Sequence, residues 1–124
     1  MAKGSGSVVT QETIDKRRAD LIAWLVASRR GWTENFRDPN RYPELFSAKG
    51  SWFDGNGREP ENEKDFNVRQ KALIESPRGP FWMSSDGIGE NIESLKQIGI
   101  NITRDVFVPD LLEEAEELEK KAPR

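Results

Sequence analysis

"RRGWTENFRDPNRYPELFSAKGSWF", residues 29–53, decides the fold: it holds six of the chain's eleven aromatic residues, yet Gly31, Pro39, Pro43 and Gly50 punctuate it. With "DGNG" and "REPEN" following, the density of Pro, Gly and Asn predicts an irregular connection over residues 32–64. A connection of that length is rare in a compact domain unless its own side chains hold it down, so the rings are its expected fasteners. Within it, "WTENF" (32–36) and "YPELF" (42–46) repeat one pattern, a ring followed four residues later by Phe. Each can form a short helical turn with both rings on one face. Two copies ten residues apart are too few and too short for a repeat architecture.

Upstream, Ile14, Leu21, Ile22, Leu25 and Val26 recur at helical spacing, with Thr10 as N-cap and Gly31 as the expected stop after Arg29 and Arg30. Downstream, Asp65–Ser76 reads as a helix with Phe66, Val68, Ala72 and Leu73 partly on one side, halted by Pro77. Ile88, Ile92, Leu95 and Ile98 mark a capped helix with Ser84, Ser85 or Asp86 ahead and Gly99 behind. The alternation of Ile100 with Ile102 and of Val106 with Val108 predicts a short strand, pairing with "SVV" at 7–9 or with the 50s. Pro109 opens a last helix with Leu111, Leu112, Ala115 and Leu118 in one stripe, expected to lie on the chain's own core. The fold expected is a single mainly α domain over residues 10–121, with about four helices, one or two short strands and the aromatic-rich connection. Residues 1–9 read as a flexible leader and 122–124 as a tail.

Leu, Ile, Val and Phe supply 28 of the 124 residues, enough to fold but with little apolar surplus. The chain has neither cysteine nor histidine, which removes disulfides, thiolate nucleophiles, the commonest zinc ligands and the usual neutral-pH proton shuttle. No cofactor, metal site or enzymatic activity is therefore expected. Glu34 and Glu44, one in each ring motif, are the only acid–base pair the pattern offers. "DGIGEN" at 86–91 lacks the Lys-Ser/Thr of a phosphate loop and the third glycine of a dinucleotide fingerprint, and reads as a capped helix entry. In "DGNGREPENEKD" (54–65) a calcium loop fails at Arg58 and Glu59, leaving a turn at Asn56–Gly57. The longest apolar run, Leu21–Ala27, is far shorter than a membrane span, so a soluble cytoplasmic protein is expected.

Net charge is −3, running from +3 over residues 1–49 to −4 over 105–124. Such a gradient suits either solvated helix faces or oriented docking. Trp, Tyr and Arg are the residue types that dominate binding hot spots. Arg29, Arg30, Trp32, Phe36, Arg37, Arg41, Tyr42, Phe46, Trp52 and Phe53 form the candidate partner-binding set. The function this composition favours is a small accessory or regulatory subunit docking on a larger protein. The alternatives are nucleic-acid binding through the basic first half, with inhibition of a host nucleoprotein as a variant of either, and a carboxylate-based enzyme.

Overall fold

A computed structural model describes residues 7–51 and 59–121. Its elements are α1 (Gln11–Arg37), α2 (Arg41–Ser47), α3 (Pro60–Ile74), α4 (Ser85–Gln97), a 3₁₀ turn at Arg104–Val106, and α5 (Asp110–Lys121). Trp52 and Phe53, the Asn56–Gly57 turn, residues 1–6 of the expected leader and the tail at 122–124 lie outside the described residues.

Thr10 caps α1 as expected, its hydroxyl accepting from the Thr13 amide at 3.1 Å. Gly31 does not stop the helix, which continues for six more residues. Side chains on both sides of Gly31 are anchored elsewhere: Arg29 is buried, and Asn35 bonds Asn67 of α3. Those tertiary ties outweigh the roughly 1 kcal/mol that glycine costs inside a helix. The stop comes at Asp38, which precedes Pro39 and leaves the helical region at φ −145°, ψ 85°. The helix also breaks regular geometry at Arg17, φ −129°, ψ 33°.

The long irregular connection is therefore mostly helical. Its first part is the end of α1; its middle is α2, where "YPELF" makes the short turn the sequence suggests and Pro43 sits in the first turn with no amide to lose. Helix α3 begins at Pro60, five residues before the expected start, because proline suits the first helical position and Glu61 and Glu63 favour the positive end of the helix. Ser84 caps α4 by accepting from the Gly87 amide at 2.9 Å. Gly99, at φ 85°, closes it, with its amide bonded to the Lys96 carbonyl and that of Ile100 to Leu95.

The expected strand over 100–108 does not form, and there is no strand among the described residues. Local bonds fold the segment instead: the amide of Val106 donates to the Thr103 carbonyl, that of Phe107 to Arg104, and the Thr103 hydroxyl bonds the Asp105 carboxylate. Arg104 then reaches the Ser85 carbonyl and hydroxyl at 3.0 and 2.8 Å, tying the turn to the start of α4. Among the described residues the α-helices number five against the expected four, since the ring-rich stretch supplies one of its own.

The core is small. Ile14 and Val26 of α1, Ile74, Ile88, and Leu111, Leu112 and Ala115 of α5 are its buried apolar side chains, with Pro43 fully covered. The α5 stripe does lie on the chain's own core, apart from Leu118, which stays 41% exposed. The face expected of α3 does not: Phe66, Val68 and Leu73 are about half exposed, and Ile74 alone of that helix is buried.

Arginines complete what the apolar residues leave unfinished. Arg18 bonds Glu114 at 2.9 and 3.0 Å and Asp110 at 3.0 Å, and Arg78 bonds Glu116 at 2.7 and 3.3 Å. Arg29, 4% exposed, donates to Glu119, to the Pro80 carbonyl at 2.8 Å and to the Arg78 carbonyl at 2.9 Å. The charge gradient along the chain is in this respect internal, basic α1 against acidic α5.

Candidate interface groove

The C-terminal half of α1, residues 42–46 of α2 and the middle turns of α3 surround a groove of about 590 Å³. Trp32 of α1, Tyr42 and Phe46 of α2 and Phe66 of α3 are its rings, all partly exposed. Rings at 42 and 46 meet because four residues complete one helical turn. Its polar lining among the described residues is Glu34, Asn35, Glu63, Asn67, Gln70 and Ser28, with no Lys or Arg among them.

Two devices fix the geometry. The carboxamides of Asn35 and Asn67 bond each other reciprocally at 2.8 Å, and Asn67 donates a further bond to the Pro39 carbonyl at 2.8 Å, which locks α3 to the α1–α2 corner. On the other side, Trp32 is held by Phe36 at 5.7 Å and edge-on by Phe81 at 6.3 Å. Phe81 reaches that position in the left-handed region, φ 67°, which costs a non-glycine residue of order 1 kcal/mol. The turn that presents it wraps Arg29: Gly79 has φ 97°, and a Cβ there would lie 2.7 Å from the Arg29 guanidinium.

The sequence-derived set divides accordingly. Trp32, Tyr42 and Phe46 line the groove, and Phe36 supports Trp32 from the side. Arg41 lies at its edge with its guanidinium 5.4 Å from the Tyr42 ring centre. Arg37 pairs with Glu34 at 2.9 Å, and Arg30 is half-buried on α1. Arg29 is withdrawn from any surface, so its placement in the binding set is corrected: a buried guanidinium with carbonyl and carboxylate partners fastens the interior. Trp52 and Phe53 lie outside the described residues. The acid pair does not converge on the groove, since Glu34 lines it while Glu44 is exposed beside Lys64 at 3.8 Å.

Phe66, Asn67 and Gln70 were missed because "DFNVRQKAL" reads as one amphipathic helix with its apolar side inward. Helical spacing places Asn67 away from Phe66, Val68, Ala72 and Leu73, so the sequence gives no signal that its carboxamide meets Asn35. Comparison with protein-family models, with curated proteins and with solved structures finds no match to this chain.

Proposed function

We propose that this chain is a non-catalytic binding module, a small cytoplasmic accessory or regulatory subunit that docks on a larger protein through the groove among α1, α2 and α3. The observation that carries the reading is the convergence of Trp32, Tyr42, Phe46 and Phe66, from three helices, on one open concavity with their faces only partly covered. A core this small leaves rings exposed at a cost in burial, about 25 cal/mol per Å², that a partner surface would recover. Large aromatic residues seated on rigid elements are also the commonest hot-spot arrangement. A cysteine-free chain suits a reducing compartment, and no helix of the described residues is long and apolar enough to cross a membrane.

The basic side chains speak against the nucleic-acid alternative, because Arg29 is internal and Arg18, Arg37 and Arg78 are engaged by carboxylates. The test is capture from the native cell by the purified chain and by a Tyr42→Ala/Phe66→Ala variant whose helicity circular dichroism has verified. A protein partner held by the wild type across roughly 50–200 mM salt and lost by the variant supports the reading. Equal capture by the folded variant overturns it.

A further inference from the structure

The turn at 76–82 has ties to both the groove and α5. On the groove side Phe81 stands edge-on to Trp32; on the other, Arg78 bonds Glu116 while its guanidinium stacks on Trp82. Local bonds shape the turn. The Ser76 hydroxyl donates to the Gly79 carbonyl at 2.7 Å, the Gly79 amide to the Ser76 carbonyl at 3.0 Å, and the Phe81 amide to the Ile74 carbonyl at 3.1 Å. Phe81 at φ 67° occupies a region that a residue with a side chain leaves unless its surroundings hold it there. The contacts that hold it are therefore the ones that matter.

Arg29 supplies two of them. Its Nη1 donates to the carbonyl of Pro80, the residue directly before Phe81, at 2.8 Å, and its Nη2 to the Arg78 carbonyl at 2.9 Å. The same guanidinium is gripped by Glu119 of α5, at 2.7 Å from Nε and 3.3 Å from Nη2. Because the group is planar and rigid, the place where Glu119 holds one edge fixes where the other edge meets the turn. Arg29 is buried, so little water is at hand to replace a lost acceptor. Gly79 lets the turn come this close, since a Cβ there would lie 2.7 Å from Nη2.

We propose that the turn at 76–82 is a strained strut through which α5 sets the position of Trp32 and so regulates the groove. With Glu119 on Arg29, the carbonyls of Arg78 and Pro80 are held and Phe81 stays against Trp32 in its left-handed conformation. When α5 withdraws Glu119, the turn relaxes as a unit, Phe81 returns to negative φ, and Trp32 loses its edge contact. Glu119 and an occupant of the groove bias the same two states of the turn, so each changes the other's hold by the same factor. The regulatory consequence rests on the docking role proposed above; the link from Glu119 to Trp32 does not.

The experiment is a double-mutant cycle on the full chain, with Glu119→Gln and Phe81→Gly as its two changes and the Trp32 indole N–H resonance, assigned through Trp32→Phe, as its readout. Glycine accepts φ 67° without steric cost, so Phe81→Gly removes the ring and leaves the turn in place. Glu119→Gln is expected to shift the Trp32 resonance in the otherwise unaltered chain and to leave it unmoved beside Phe81→Gly, with circular dichroism unchanged in both. No shift from Glu119→Gln, or a shift of equal size in the Phe81→Gly background, overturns the proposal. Should Glu119→Gln fail to fold, hydrogen exchange in the unaltered chain decides. The Gly79 and Phe81 amides are expected to exchange together, ahead of the inner amides of α1 and α5, and exchange only by global unfolding overturns the strut. Partner capture by Glu119→Gln is expected to weaken about five-fold or more; unchanged capture by a chain whose Trp32 has moved overturns the regulatory claim. A failed cycle with capture still lost on Tyr42→Ala/Phe66→Ala leaves the docking role standing, whereas a cycle that holds with capture indifferent to that variant supports the strut and overturns the docking role.

Discussion

Replacing Arg29 with Met would leave Glu119 and the carbonyls of Arg78 and Pro80 facing a side chain that cannot donate. Breaking one side of a buried ion pair costs more than the pair contributes, because the survivor stays desolvated. Denaturant unfolding of Arg29→Met is therefore expected to show a loss of about 3 kcal/mol. Ser47 presents the opposite case. Its hydroxyl is buried with no hydrogen-bond partner among the described residues, so Ser47→Ala removes an unmet demand and is expected to raise stability by about 1 kcal/mol in the same measurement. Neither role was legible from residue type. An arginine between aromatic residues looks like a surface hot spot, and only the arrival of residues 78, 80 and 119 makes it an internal fastener.

At the scale of elements, two glycines of similar appearance carry opposite expectations. Gly99 closes α4 with φ 85°, where a Cβ is strained, and Gly99→Ala is expected to cost about 1 kcal/mol. Gly31 lies inside α1 in open space, and Gly31→Ala is expected to add about 0.5–1 kcal/mol, both read from thermal unfolding. The sequence placed both glycines after a run of helical spacing and so marked both as stops. Caps and prolines were read correctly where the decisive bond is local, as at Thr10 and Pro109, and the cap of α4 was narrowed to Ser84, Ser85 or Asp86, of which Ser84 forms it. The reading failed where a distant contact decided: α1 passes Gly31 because Arg29 and Asn35 are held from α5, α3 and the turn at 76–82. The strand at 100–108 failed for a related reason, since alternation specifies a face and not a partner, and no second strand exists among the described residues to receive it.

Across the whole molecule, α5 is held by ion pairs as well as by its apolar stripe. Arg18, Arg29 and Arg78 reach four of its carboxylates, Asp110, Glu114, Glu119 and Glu116. The Arg78 guanidinium, which also stacks 3.7 Å from the Trp82 ring centre, holds the Glu116 carboxyl below its ordinary value of 4.5 by hydrogen bonding, with smaller help from the charges of Arg78, Lys120 and Arg29. A carboxyl depressed on folding contributes stability that is fully present above its unfolded pKa and is lost as pH falls through the folded one. Melting temperature is accordingly expected to fall as pH drops below about 4.5, and to fall less steeply in Arg78→Met, measured by circular dichroism across that range. Half of the candidate site was legible at this scale: the rings of α1 and α2 were found, while Phe66 and Gln70 needed the fold to bring α3 beside them.

The fastening of Arg29 also orders events in time. Its partners stand 49, 51 and 90 positions further along the chain. Synthesis proceeds from the N-terminus, so α1 leaves the ribosome with a guanidinium that has nothing to grip until residues near 80 emerge, and its carboxylate only when residue 119 follows. Trp32 likewise gains its edge contact only once Phe81, 49 positions further on, has followed.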